Sequence, residues 1–276
     1  MVLTHISTFR PQFGTLFALK YAERPDAMKH EHFVFTDAHD GPMPMDYFIW
    51  ALRNETGRII VIDMGFEEKE AKKRGRKILR TPAEALSGVG IDAATVEELV
   101  ISHMHYDHCG NAHQFPNAMF FVQEREMAFA TGRHMQHKTF RNIFAVDYVV
   151  DLIRALYRDR VTFVDGMVEM APGVTLHHVG GHTDGLQIVR VWTARGWVVL
   201  AADAAHLYAN LNDVNPFPLV FNVADMLSGY QTIETLADTP QHIIPGHDPL
   251  VMSRFPAAEG AEKYAVRLDL DPLNWD

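Results

Sequence analysis

The sequence predicts a mixed α/β (α+β) protein arranged as a four-layer αββα sandwich, on three observations. Short β-rich runs recur along the chain, separated by helical stretches or by Gly and Pro. Strands with intervening helices come first, then a helical stretch, then strands with a helix again, the order expected of two sheets packed face to face under helices. With 47% hydrophobic residues over 276 positions, the chain can bury such a core as one domain, 1–276.

The elements follow in order. Strands are expected at 16–21, 46–52 and 58–63, then a helix at 67–77. A short helix at 93–97 leads into a strand at 98–101. A strand at 118–123 feeds a helix at 124–130, and a longer helix lies within 137–158, inside a helical insertion at about 134–158. Strands return at 174–179, 187–192 and 197–201. Leu227, Tyr230, Ile233 and Ala237 recur at helical spacing within 225–237, before a last strand at 242–244. Residues 1–45 form an N-terminal decoration, and the stretch ERPDAMKHEHFVFTDAHDGPMPMDYF, 23–48, Pro- and Met-rich around His30, His32 and His39, is expected as a loop near the mouth of a site or a subunit interface.

Composition removes several classes of function. The net charge is −10, from 25 basic and 35 acidic residues, and the densest basic cluster, 72–80, shares a predicted helix with Glu67, Glu68 and Glu70. That reads as a solvated face, so nucleic acid is not an expected partner. A lone cysteine, Cys109, permits no intrachain disulfide and reads as a small buried hydrophobe. No apolar run nears the roughly 20 residues that span a bilayer, and the first residues lack signal-peptide order. A cytoplasmic location is the resulting expectation, and a homodimer is expected from the apolar surface of the N-terminal segment and the insertion.

Chemistry concentrates in residues 102–111, SHMHYDHCGN, where His103, His105, Asp107 and His108 occupy a six-residue span. The apolar strand before them places these residues on the loop leaving its C-terminal end. His103 and His105 alternate along extended backbone, and Asp107 and His108 follow after a turn. Imidazole with carboxylate suits zinc, with Fe, Mn and Co as competitors. A chance H-x-H-x-D-H at this histidine content is on the order of a few in a thousand, which favours a metal site over capping residues. Three more polar residues stand at strand ends: His182 in VGGHTDG, Asp203 in VVLAADAAH and His247 in IIPGHDP. A charged Asp203 beside so apolar a run needs a partner, and a cation supplies one.

These motifs together, H-x-H-x-D-H at 103–108, G-H-T-x-G at 181–185, Asp203 and Gly246-His247, resemble the metallo-β-lactamase superfamily over roughly residues 46–250. Within it the chain is most similar to the N-acyl homoserine lactonase group and to lactone hydrolases such as 4-pyridoxolactonase. The resemblance implies two divalent ions, zinc foremost: His103, His105 and His182 on the first, Asp107, His108 and His247 on the second, and Asp203 bridging them. It also implies that Asp63, in RIIVIDMGF, supports the ligands. Asp107-His108 together with Asp203 separates the chain from β-lactamases proper, which commonly place a Cys at the later position, and from flavodiiron proteins, which tend to carry Glu for the second His. Many lactonases of this group carry a Tyr three residues after the bridging Asp; here that position is His206, and the nearest tyrosine is Tyr208.

The implied activity is metal-dependent, quorum-quenching opening of an N-acyl homoserine lactone ring, a small-molecule substrate. A metal-bridging hydroxide attacks the carbonyl, His206 or Tyr208 steadies the oxyanion, and Asp107 returns a proton to the leaving ring oxygen. Alternatives are another lactone or ester, a thioester as in glyoxalase II, and a zinc-stabilised module without activity. Phe140, Phe144, Tyr148, Phe217 and Phe221 are candidates for an apolar wall, the core or a dimer contact. The remaining histidines, His113, His134, His137, His177, His178 and His242, read as ordinary surface or core residues, and His5 is unplaced.

Overall fold

Alternating apolar residues give each early strand two buried faces, and each face belongs to a different core. On β1 (Thr15–Arg24) Phe17, Leu19 and Tyr21 point to one side while Leu16 and Ala18 point to the other. The same division separates Val61 from Ile60 and Ile62 on β3 (Ile59–Ile62). A strand buried on both faces requires cover on both, so the sheet is an inner layer. The computed structural model describes residues 14–36 and 38–275, and His5 lies outside them.

The first half adds β2 (Met45–Arg53), α1 (Glu68–Arg74), β4 (Lys77–Ile78), α2 (Pro82–Ser87), β5 (Glu98–Val100), β6 (Met119–Gln123), α3 (Glu124–Thr131), α4 (Lys138–Arg141), α5 (Val146–Leu156) and β7 (Val161–Val164). The second half runs β8 (Met167–Ala171), β9 (Val174–His178), β10 (Gln187–Thr193), β11 (Gly196–Ala202), α6 (Tyr208–Asn212), α7 (Val223–Leu236), β12 (Ile243–Pro245), α8 (Leu250–Arg254) and β13 (Ala265–Arg267). One sheet has the order β13-β1-β2-β3-β5-β6-β7, with β4 on β1, and the other β12-β11-β10-β9-β8.

Three hydrophobic cores follow from this layering. Between the sheets lie Trp50, Ile62, Val100, Leu176, Val191 and Leu200. Helices α2, α3 and α5 cover the first sheet through Leu86, Met127 and Leu152, and α7 covers the second through Met226, Tyr230 and Ile233. This is the αββα arrangement expected from the order of elements. Among the described residues no helix is long and apolar enough to cross a membrane.

Some elements depart from expectation. The helix expected at 67–77 ends at Arg74, because Gly75 takes φ 66° as a left-handed cap. Arg76 therefore leaves the solvated helix face on which sequence placed it. The helix expected at 93–97 is a single 3-10 turn, since Val96 is already extended. The long helix within 137–158 is two, α4 and α5, with 142–145 between them.

Candidate metal centre

Parallel strands β3, β5 and β6 end at one rim of the first sheet, and β11 and β12 run parallel in the second. Loops leaving these ends carry the polar residues. After β5 come His103, His105, Asp107 and His108, all buried. His182 follows β9, Asp203 follows β11 directly, and His247 follows β12. The turn into Asp203 is forced: a bulge interrupts β11 between Leu200 and Ala202, and Ala202 takes φ 44°, a conformation that costs a residue with a Cβ about 1–2 kcal/mol. The β12 loop then lies against it so closely that a Cβ on Gly246 would sit 2.6 Å from the Ala202 carbonyl and 2.8 Å from Asp203 Oδ1. Only glycine permits that approach.

The structure brings all seven expected ligands together, with His206 as an eighth. Donor atoms of His103, His105 and His182 lie within 4.8 Å of one another, as do those of Asp107, His108 and His247, and of His103, His108 and Asp203. Asp203 is the junction: Oδ1 is 3.2 Å from His108 Nε2 and 3.0 Å from His247 Nε2, and Oδ2 is 3.4 Å from His182 Nε2 and 3.0 Å from His206 Nε2. Asp107 Oδ2 stands 3.8 Å from both His108 Nε2 and His247 Nε2.

The outer nitrogens are held from behind. His108 Nδ1 is 2.7 Å from Asp63 Oδ2, His182 Nδ1 is 2.6 Å from the Leu219 carbonyl, and His247 Nδ1 is 2.9 Å from the Asp46 carbonyl. Each of these acceptors fixes a proton on Nδ1 and leaves Nε2 aimed inward. Asp63 also accepts from Ser102 N at 2.7 Å and Ser102 Oγ at 2.8 Å, tying the first loop to β3.

This donor set fits divalent cations. Nε2 of His105, His108, His182 and His247 and Oδ1 of Asp203 are buried without a hydrogen-bond partner, and burying such atoms unpaired is costly. The site calls for positive charge. Burial opposes a proton on His108 and His247, yet the neighbouring carboxylates, Asp203 foremost, outweigh it and raise both imidazoles above their ordinary range. Burial likewise opposes charge on Asp203, but His247, His108 and His206 hold its carboxyl well below the usual range. Asp203 stands between two groups of donors, each able to hold a divalent cation.

The remaining expected site residues separate. His206 stacks on Phe217 at 3.4 Å between centroids and 5° between planes, with Nε2 directed at Asp203; burial lowers its pKa to about 3 against the pull of Asp203. Tyr208 is turned into the core between the sheets, against Trp275 and under Arg254. Phe140 and Phe144 line an apolar pocket beside His105 and His182, with Phe129 and Leu219. Phe221 packs on Phe129 and Phe140, and Tyr148 donates no wall but accepts from Glu67 N at 2.9 Å. Cys109 is buried, as a small hydrophobe would be.

Sequence reading missed Glu126. Fully buried on α3, it accepts from Met104 N at 2.7 Å, Thr183 Oγ1 at 2.6 Å and Gly185 N at 3.1 Å. It thereby joins the loop of His103 and His105 to the loop of His182. A Cβ on Gly185 would lie 2.1 Å from Glu126 N, so glycine is required there. The available signal was a carboxylate beside Met127 and Ala130 on a face that must be buried. Glu126→Gln, which turns a donor toward donors, is expected to cost about 2–3 kcal/mol in thermal unfolding and about 10–100-fold in metal affinity by titration. Loss of stability with unchanged metal affinity would reduce Glu126 to a loop tie.

An αββα sandwich with buried His and Asp residues converging from strand-end loops defines a metal-binding α/β class. Residues 44–259 match the metallo-beta-lactamase superfamily, and the chain belongs to it. Among similar proteins, N-acyl homoserine lactonase AttM of Azorhizobium caulinodans is 30% identical over 187 residues, 63% of this chain and 66% of that one. N-acyl homoserine lactonase AiiA of Bacillus thuringiensis subsp. kurstaki is 27% identical over 186 residues, 61% of this chain and 68% of that one. The matched stretch thus spans about two thirds of these relatives. A solved N-acyl homoserine lactone hydrolase, with N-hexanoyl-L-homoserine bound at its catalytic metal centre, superposes with a TM-score of 0.69 at 22% identity, covering 87% of this chain and 95% of that one.

Proposed function

We propose that this chain is a metal-dependent hydrolase that opens a lactone ring, with N-acyl homoserine lactones the first substrates to test and two divalent ions, zinc foremost, as its cofactors. The observation that carries the reading is Asp203, a buried carboxylate faced by imidazole nitrogens from three other loops with its Oδ1 left without a hydrogen bond. His103, His105 and His182 would hold one ion, Asp107, His108 and His247 the other, and Asp203 both. Ions bound there supply Lewis acidity, which acidifies water and polarises a carbonyl oxygen.

The chain's own groups do the rest. Asp107 lines the open cleft, of about 220 Å³, beside His105, Asp203 and His247. The carboxylate oxygen it does not direct at His108 and His247 would take the proton of the attacking water and return it to the ring oxygen when the ester C–O bond breaks. His206, neutral and stacked on Phe217, holds Asp203 Oδ2 in place and stands at the cleft wall where a substrate carbonyl would lie. The pocket of Phe129, Phe140, Phe144 and Leu219 offers an acyl chain an apolar bed.

The test is metal content per chain, followed by base uptake against a panel: acyl homoserine lactones, a pyridine-fused lactone, a thioester and a β-lactam. Lactone opening that disappears on chelation and returns with zinc is the expected result. Turnover of the thioester alone would overturn the lactonase reading, and metal-loaded protein inert to the whole panel would favour a binding module.

A further inference from the structure

The cleft over the ligand cluster has two unlike ends. Beside His105 and His182 it is apolar. Beside Asp107 and His247 it is lined by Arg24, Arg74, Arg76, Tyr47 and Tyr106. Two of the three guanidiniums are already neutralised. Arg24 Nη2 meets Glu31 Oε1 at 2.5 Å, and Arg74 Nε meets Glu70 Oε2 at 2.9 Å while its Cζ lies 3.9 Å over the Tyr106 ring.

Arg76 has no such partner and makes no ion pair among the described residues. Its Nε donates to Tyr106 Oη at 3.2 Å and its Nη1 to the Arg74 carbonyl at 2.7 Å, while Nη2 donates to no described residue. Tyr106 Oη is in turn 3.4 Å from Tyr47 Oη, and the Tyr47 ring lies 4.9 Å from that of His247. Arginine and two hydroxyls therefore form one chain that ends against a candidate metal ligand. The frame is stiff, because Tyr21, Tyr47, Phe66 and Tyr106 pack ring against ring. The guanidinium keeps its charge at any working pH. A half-buried cation with an unpartnered Nη2 beside the Tyr47 and Tyr106 hydroxyls suits a carboxylate, which accepts N–H bonds and supplies the missing charge.

We propose that Arg76, with the hydroxyls of Tyr47 and Tyr106, forms a carboxylate subsite, so that this centre prefers a lactone bearing a carboxylate at that end of the cleft over its neutral counterpart. The inference rests on the lactone-opening reading and sharpens its substrate class: an uncharged ring leaves Arg76 to water.

The test compares lactones that differ only in one substituent, carboxylate or carboxamide, on the ring or on a short side chain. Zinc-loaded wild type, Arg76→Gln, Arg76→Lys and Tyr106→Phe are assayed, and the ring-opened acids are titrated by calorimetry. Wild type is expected to favour the carboxylate member about 10-fold or more in kcat/KM and in affinity. Arg76→Gln is expected to cut that preference about 10-fold, to near parity, and Arg76→Lys to keep part of it. Tyr106→Phe, which retains the ring under Arg74, shifts it in the same direction by less, and these last two decide the matter should Arg76→Gln fail to fold. An unchanged preference in the variants, or an equal loss on both members of each pair, overturns the subsite. Wild type that binds the carboxylate acids preferentially but opens no lactone keeps the subsite and removes the lactonase reading; opening of both lactones without preference does the reverse.

Discussion

Asp203→Asn is expected to abolish metal-dependent turnover, lowering kcat/KM by on the order of 10³-fold or more while the fold persists. The substitution preserves shape and removes three things at once. The negative charge goes, although the imidazoles of His247, His108 and His206 are what hold that carboxyl ionised despite burial. One acceptor oxygen goes, so that either the His108 and His247 pair or the His182 and His206 pair meets an amide N–H in its place. The carboxylate proposed to join the two groups goes too, and metal per chain should fall with activity. Activity within tenfold of wild type, at unchanged metal content, would show that Asp203 is not the junction and would return the proposed mechanism to the drawing of its ligands.

How much of this was legible in the sequence depends on the range over which each feature is determined. His103, His105, Asp107 and His108 are local, and a strand with an extended loop suffices to aim them. His182, Asp203 and His247 were legible as polar residues after apolar strands, but their meeting at Asp203 comes from the pairing of β11 with β12 and from glycines that let loops touch. Arg76 illustrates what sequence cannot show. Lys72 and Lys73 do lie on an exposed helix face, as charge patterning implies, whereas Gly75 reverses the chain and carries the next arginine into the cleft. Tyr106 sits inside the metal motif itself, yet its role depends on Tyr47 and Arg76, which arrive from other elements. Helix α2 is announced by Thr81, Pro82 and Glu84, a capping box with proline in the first turn, but six residues are too few for periodicity to register. Strands β7 and β8 are edge strands whose side chains are partly exposed, so neither carries the apolar run that marks the buried strands.

Removal of metal is expected to cost the protein about 4 kcal/mol when ions are otherwise present at about a thousand times their dissociation constant, which for a chain of this size lowers Tm by about 10 °C. The reason lies in where the ligands come from. The loops after β5, β9, β11 and β12 meet at the cluster and belong to different sheets, so an ion bound there would join the two halves of the sandwich where otherwise partnerless nitrogens face a carboxylate. Glu126 and Asp63 hold loops from outside and remain after chelation, which is why loosening at this rim, and not global collapse, should follow. Hydrogen exchange of the 101–110, 180–185 and 203–207 backbone amides, with and without chelator, reads that directly, alongside the melting curve. An unmoved Tm with unchanged exchange would mean that the imidazoles satisfy Asp203 by sharing protons alone, as their raised pKa values permit, and that the cluster is held together without ions.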